Sequence, residues 1–252
     1  MTVVITGATS GIGEELAKLY LKNNYTVVAL GRNSAKLAEL KYYAVSCGSN
    51  CETFDIDLRN FQELQNISKQ IVAMFGSIDL VIANAGISAP HSTELPSFED
   101  FKNIIDTNFL SVHALLEPII PFMKSGSKIA LISSLAGYVP LPTALAYASS
   151  KAALNFYSDS LRNILKPRNI NVISIRPGFI DTPLTKKNKF KMPFLMKKED
   201  AAKNIVNAIE KSKNIYAFPF CFAFLVKGFA LLPNKLRDYL ISKLNSRYDS
   251  RY

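Results

Sequence analysis

The sequence holds little of what builds disulfide-stapled or metal-bound folds: three cysteines and two histidines in 252 residues. An odd number of cysteines without an export signal implies reduced thiols and excludes a disulfide framework. Cys47 and Cys51 are spaced like half of a metal clip, but no second ligand pair follows and His91 and His113 lie far off, so no metal is expected. Repeats, Gly/Ser or Pro-rich linkers and low-complexity blocks are missing too, so residues 1–252 read as one domain. The opening "MTVVITGATSGIG" has no charged leader with an apolar core ahead of its glycines, which implies a cytoplasmic or cytosol-facing protein.

Charge is unevenly placed. The chain carries a net charge of +10, yet residues 1–185 hold fifteen basic and fifteen acidic side chains, whereas 186–252 hold fifteen basic and five acidic ones. The excess is therefore confined to the last quarter, where it suits phosphates, anionic lipid, an acidic carrier or a solvated face equally well. A nucleic-acid partner is not expected from it.

Short apolar runs rich in β-branched residues recur along the chain: Val3–Ile5, Thr26–Leu30, Thr53–Ile56, Leu80–Ile82, Lys128–Ile132, Asn171–Ile175 and "NIYAF" at 214–218. Between them lie segments of helical period, such as "GEELAKLYLKN" with Leu16, Leu19 and Tyr20 on one face. Strand and helix in alternation predict an α/β fold, a Rossmann-type, doubly wound, mostly parallel seven-stranded sheet with helices on both faces. Ligands of such sheets bind beyond the carboxyl ends of the strands, so chemistry is to be sought just after each one.

"TGATSGIG" follows the first strand and opens the first helix. Gly7, Gly11 and Gly13 fall where the chain must turn tightly, approach a pyrophosphate and pack on the sheet, with Thr9, Ser10 and Ile12 between them. Six further elements follow in order: Asp57-Leu58, "NAG" at 84–86, Asn108, "ISSLAG" at 132–137, "YASSK" at 147–151 and "RPGFIDT" at 176–182. With this TGxxxGxG and YxxxK set, the chain resembles the single-domain branch of the short-chain dehydrogenase/reductase family over residues 1 to about 185. The resemblance implies that Asp57 and Leu58 meet the adenine, that Asn84, Ala85 and Gly86 line the cofactor groove, and that Pro177, Gly178, Ile180 and Thr182 hold the nicotinamide carboxamide. Ala83 departs from the pattern, since many members have a second Asn there; a position that lines the groove with backbone tolerates the change.

Near the end of the second strand an acid would bind the ribose 2′-hydroxyl of NAD. "ALGRNSAK" offers none; Arg32 instead presents a planar cation suited to a 2′-phosphate, and Ser10 adds a hydroxyl, so NADP is expected in preference to NAD. Tyr147 and Lys151, four residues apart, share a helix face, and an ammonium beside a phenol is expected to lower the phenol's pKa. By resemblance, Tyr147 donates a proton to a carbonyl oxygen as hydride arrives, Lys151 also holds the nicotinamide ribose, Ser134 hydrogen-bonds the same oxygen, and Asn108 positions a relay water. The reaction implied is reduction of a ketone or aldehyde, or oxidation of a secondary alcohol, on a hydrophobic or acyl-like small molecule. The alternative is a dinucleotide-binding regulator or scaffold without turnover, which a hydride-transfer assay separates. His113 reads as structural and His91 as an edge of the substrate pocket.

Residues 183–198, "PLTKKNKFKMPFLMKK", stand where the family carries its substrate-covering loop, so Lys186, Lys187, Lys189, Lys191, Phe190 and Met192 are candidates to see substrate or solvent. Residues 216–252 form an apolar and basic extension. Its stretch "YAFPFCFAFLVKGFALLP", Tyr216 to Pro233, is broken by Pro219, Lys227 and Gly228, short of the roughly 20 apolar residues of a membrane span. Phe220 to Val226 are apolar on every side and must be covered, by a substrate pocket, by a partner subunit of a homodimer or homotetramer, or by an anionic membrane contacted peripherally, with Lys235, Arg237, Lys243, Arg247 and Arg251 at the headgroups.

Overall fold

The computed structural model describes residues 1–89, 92, 94–188 and 190–249. His91, Lys189 and Arg251 lie outside the described residues, as does the side chain of Arg247. Seven strands form one sheet: β1 (Thr2–Thr6), β2 (Thr26–Gly31), β3 (Cys51–Asp55), β4 (Leu80–Ala83), β5 (Lys128–Ile132), β6 (Asn171–Pro177) and β9 (Ile215–Phe218). Their order is β3-β2-β1-β4-β5-β6-β9 and every neighbouring pair is parallel. A separate two-residue ladder joins β7 (Ile180–Asp181) to β8 (Met196–Lys197).

The sheet is buried on both faces because its strands are apolar at odd and even positions alike. Val3, Ile5, Val27, Ala29, Ile82, Ile173 and Ile175 pack with α1 (Gly11–Lys22), α2 (Ser34–Ser46) and α7 (Lys198–Glu210) through Leu16, Leu21, Leu37, Leu40, Ile205 and Ile209. Val4, Val28, Leu30, Val81, Ile129 and Leu131 face α3 (Phe61–Phe75), α5 (Ser111–Ile119) and α6 (Leu145–Leu165) through Leu64, Ile71, Leu115, Leu116, Ile119, Leu154 and Leu161. The strand order reverses between β1 and β4, and their carboxyl ends lead into Gly7 and Asn84. That is where a doubly wound sheet opens a crevice.

Beyond β9 the chain forms α8 (Phe220–Ala230) and α9 (Asn234–Asp249), after α4 (Phe98–Ile105) and a π-helical turn, Asp106–Leu110, have linked β4 to α5. Among the described residues no helix is long and apolar enough to cross a membrane. Of Phe220 to Val226, expected to be covered by a substrate pocket, a partner subunit or a membrane, the chain itself covers a part, with Phe222 and Val226 turned to an apolar cavity. Only Ala223 is fully buried, while Phe220, Phe224 and Leu225 remain 80%, 70% and 59% exposed.

Candidate active site

Three helices that start near the crevice are closed by side-chain caps: Asn33 accepts from Lys36 N–H, Asn60 from Glu63 N–H and Ser97 from Asp100 N–H. α1 is not. Ser10 occupies its N-cap position, yet its hydroxyl makes no capping hydrogen bond, so the helix end keeps donors free for an anion. The glycines explain how something large comes that close. A Cβ on Gly13 would sit 2.2 Å from Gly7 O and 2.4 Å from Asn84 Nδ2, and one on Gly7, whose φ is +65°, would sit 2.9 Å from Ala85 Cα. Buried Thr6 ties the two strand ends together: its hydroxyl accepts from the N–H groups of Asn84 and Ala85 at 3.0 and 3.1 Å, and Asn84 Nδ2 donates to Thr6 O.

Every site residue expected from the sequence except Gly13 and Asn108 lines one cleft of about 380 Å³ running from Arg32 and Asp57, past Gly7, Thr9, Ser10, Gly11 and Ile12, to Ser134, Tyr147 and Lys151. Leu58, Asn84, Ala85, Gly86, Pro177, Gly178, Ile180 and Thr182 complete its walls. Gly13 packs behind the glycine turn. Asn108 stands behind Gly86, where a Cβ would lie 3.4 Å from Asn108 Oδ1 and 3.5 Å from Lys151 Nζ. It is buried in the π-turn, and its carboxamide is spent on the scaffold: Oδ1 accepts from Ile87 N–H at 2.8 Å, while Nδ2 donates to Ile87 O and Ser150 Oγ at 2.9 and 3.0 Å. The side chain thus holds the wall of the cleft, and both of its N–H donors are engaged by protein.

At the Arg32 end of the cleft lies a residue the sequence alone did not point to. Arg59 grips Asp57 through Nε and Nη2, the latter at 2.6 Å, and reaches Asn103 Oδ1 with Nη1, also at 2.6 Å. Arg59 hydrogen bonding, against a smaller burial effect, holds the Asp57 carboxyl down at about 2. Arg32 Nη1 stands 3.8 Å from the same carboxylate with its side chain 61% exposed. The "DLR" spacing after a strand was the available signal, since an arginine two residues past an acid can fold back on it.

At the other end, Ser134 caps the 3₁₀ turn Leu135–Tyr138 by accepting from Ala136 N–H at 3.1 Å, and its own hydroxyl lies 3.5 Å from Pro177 O and within hydrogen-bonding reach of the Tyr147 phenol. Lys151 is buried, donates to Ile132 O at 2.9 Å and stands 5.8 Å from the centre of the Tyr147 ring. Burial lowers the Lys151 ammonium to about 8. The expected lowering of Tyr147 is corrected here. Burial raises the phenol's pKa and outweighs the opposite pull of its hydrogen bond with Ser134. Desolvation penalises a phenolate more than a distant, itself desolvated ammonium can repay.

A second, apolar cavity of about 420 Å³ adjoins the first. Ser134, Tyr147, Gly178, Leu184 and Thr185 line both. Phe179, Phe190, Leu141, Phe222, Val226, Phe229 and Ile241 give the second its greasy walls. Phe222 is the hinge of an aromatic stack, 5.8 Å from Phe179 and 5.7 Å from Phe194, and Phe179 meets Phe190 edge-on at 5.7 Å. Of the expected substrate-loop residues, Phe190 lines the cavity, Met192 is half-buried against Asn188, and Lys186, Lys187 and Lys191 are exposed and line neither cavity. His113 faces out, its Nδ1 3.0 Å from the Tyr157 hydroxyl.

A family model described as short chain dehydrogenase matches residues 1–193. An uncharacterized oxidoreductase of Myxococcus xanthus is 33% identical over 96% of this chain and 97% of its own length. Ketoacyl reductase HetN of a Nostoc species is 29% identical over 84% of this chain and 74% of its own. Among solved structures, a short-chain dehydrogenase of Mycobacterium paratuberculosis bound to NAD superposes with a TM-score of 0.75 at 23% identity, covering 86% of this chain and 94% of that one.

Proposed function

The chain belongs to the short-chain dehydrogenase/reductase family of NAD(P)-dependent oxidoreductases, and from that premise we propose that it is an NADP-dependent enzyme interconverting an apolar ketone or aldehyde and the corresponding alcohol. The observation that carries this is the meeting of the two cavities at Ser134 and Tyr147: a polar cleft with an open helix end on one side, a pocket walled by phenylalanines on the other. The glycine cradle, the free N–H groups of α1 and Arg32 fit a dinucleotide carrying a 2′-phosphate. When bound there, the nicotinamide supplies hydride to the carbonyl carbon.

The protein's part is the proton and the electrostatics. A raised pKa keeps the Tyr147 hydroxyl protonated at working pH, which suits a donor to the oxygen that becomes the alcohol. Ser134, whose hydroxyl stands beside the Tyr147 phenol, directs a second hydrogen bond to that oxygen. Lys151, charged below about pH 8, offsets the phenolate that forms as the proton leaves. Asn108 acts at one remove by fixing Ile87 and Ser150 around the lysine. The apolar walls, and the name of the ketoacyl reductase relative, favour a long acyl or comparably greasy substrate. A homodimer or homotetramer is part of the same reading, supported by Phe156 and Ile164, which leave the outer side of α6 82% and 68% exposed.

The test is a panel of carbonyls from short ketones to long-chain 3-oxoacyl thioesters and steroids with NADPH and NADH. The proposal expects NADPH oxidation that rises with chain length and is lost in Tyr147→Phe. Tight NADPH binding with no turnover across the panel would instead support a dinucleotide-binding regulator.

A further inference from the structure

We propose that the outer side of α8, continued onto α9, is a docking surface for an anionic lipid bilayer. At roughly 100° per residue, α8 divides into two sectors. Phe222, Val226 and Phe229 share one and line the apolar cavity. Phe220, Phe224 and Leu231 share the opposite one, with Leu225 at its edge, and all four are exposed, Leu231 at 86%. On α9, Ile241 turns in to the same cavity while Leu236 and Tyr239 are exposed. The helix pair is apolar inside and apolar outside.

Charge decides what covers the outside. Exposed Lys227, Lys235 and Lys243 rise from these same two helices, which from Phe220 to Asp249 hold five basic side chains against two acidic ones. A second copy related by a two-fold axis would set this patch against itself, bringing like-charged lysines together at the contact. An anionic headgroup layer answers the lysines, and the acyl boundary beneath it takes a convex row of Phe and Leu that offers no groove to a folded partner. α8 has 11 residues, about 16 Å of helix against a hydrocarbon core of about 30 Å, so it lies in the interface and does not cross. Docked so, the bilayer touches one side of the helix whose other side walls the substrate cavity, and a greasy carbonyl reaches Tyr147 around α8. The nature of that cargo rests on the function proposed above; the contact itself does not.

The experiment is co-sedimentation of the full chain with vesicles of phosphatidylcholine alone and with about one-third phosphatidylserine, at low and high salt. Anionic vesicles should carry down at least about tenfold more protein than neutral ones, and high salt should release it. The pair Phe224→Asp and Leu231→Asp should remove that binding, while NADPH affinity and turnover of a small soluble aldehyde stay as they were. Lys235→Glu should weaken it alone. Wild-type protein that stays in the supernatant, or a double variant that pellets equally, overturns the proposal. So does light scattering in which the double variant falls apart from a larger oligomer, since that makes the face a contact between copies. Because sedimentation needs no substrate, it reads out even if no carbonyl is ever turned over.

Discussion

Replacing Arg32 with Ala isolates the choice of cofactor. A guanidinium pairing a phosphate contributes about 1.5–3 kcal/mol as a charge-assisted hydrogen bond. In the free protein, however, Arg32 leans on Asp57 at 3.8 Å in an exposed position, and giving up such a pair costs about 0.5 kcal/mol. The net loss is then about 1–2.5 kcal/mol, or roughly 5- to 60-fold in NADPH affinity. NADH, lacking the phosphate, should change by no more than about twofold. Asp57 is a built-in control, because Arg59 keeps it ionised whether or not Arg32 is present. Fluorescence titration of both reduced cofactors makes the comparison. Equal losses for NADPH and NADH would mean that Arg32 shapes the turn and does not read the phosphate. The same geometry warns against Arg32→Asp as a route to NAD specificity, since the new carboxylate would face Asp57 across the site.

Tyr147→Phe should lower kcat by at least about 100-fold with cofactor affinity nearly intact, as steady-state kinetics beside a binding titration would show. Gly13→Ala should abolish cofactor binding and lower stability by about 1–3 kcal/mol in chemical denaturation, because its Cβ meets the Gly7 carbonyl at 2.2 Å and backbone cannot step aside. Phe222→Ala should raise KM for long-chain substrates far more than for short ones, since it removes a cavity wall and both ring stacks; a uniform rise would point to general loosening. Reductase kcat/KM should fall as pH climbs through about 8, where Lys151 loses its proton. The sign of the linkage separates this from unfolding. Lys151 sits below its ordinary value of 10.5, so the folded state is penalised for its charge below about pH 8 and relieved between there and 10.5. That group therefore makes the protein more stable over the interval in which activity drops, and a melting midpoint that fell in step with the rate would remove Lys151 as the cause.

The fold was legible because each strand is a short β-branched run set off by helical period, and the boundaries found lie within a few residues of those expected. The cleft was legible for a different reason. Residues that follow successive parallel strands converge by topology, so Gly7, Asn84, Ser134 and Pro177 meet although 170 residues separate the first from the last. What sequence could not supply was burial and partnership at a distance. Arg59 went unseen because Asn103, its second partner, is 44 positions away. The direction of the Tyr147 shift was read from the nearest charge, whereas the deciding influence is the loss of water around the ring.

The segment 183–198 shows the limit most plainly. Its lysines and aromatics are interleaved without a period, so nothing in the order of residues told which set faces the pocket. The sorting comes from Phe179 and Phe222, fixed on either side by the end of β6 and the start of α8, their rings meeting those of Phe190 and Phe194, while Lys186, Lys187 and Lys191 stay in water, where their charge is solvated. A Cβ at Gly178 would stand 2.9 Å from the Phe222 ring, so this glycine in the motif after β6 lets α8 close on the Ser134 and Tyr147 end of the cleft. Sequence places Gly178 with the cofactor and Phe222 with the extension, as if they were separate matters. In the fold they touch, so a change at Phe222 is felt first at Gly178, on the wall that the two cavities share.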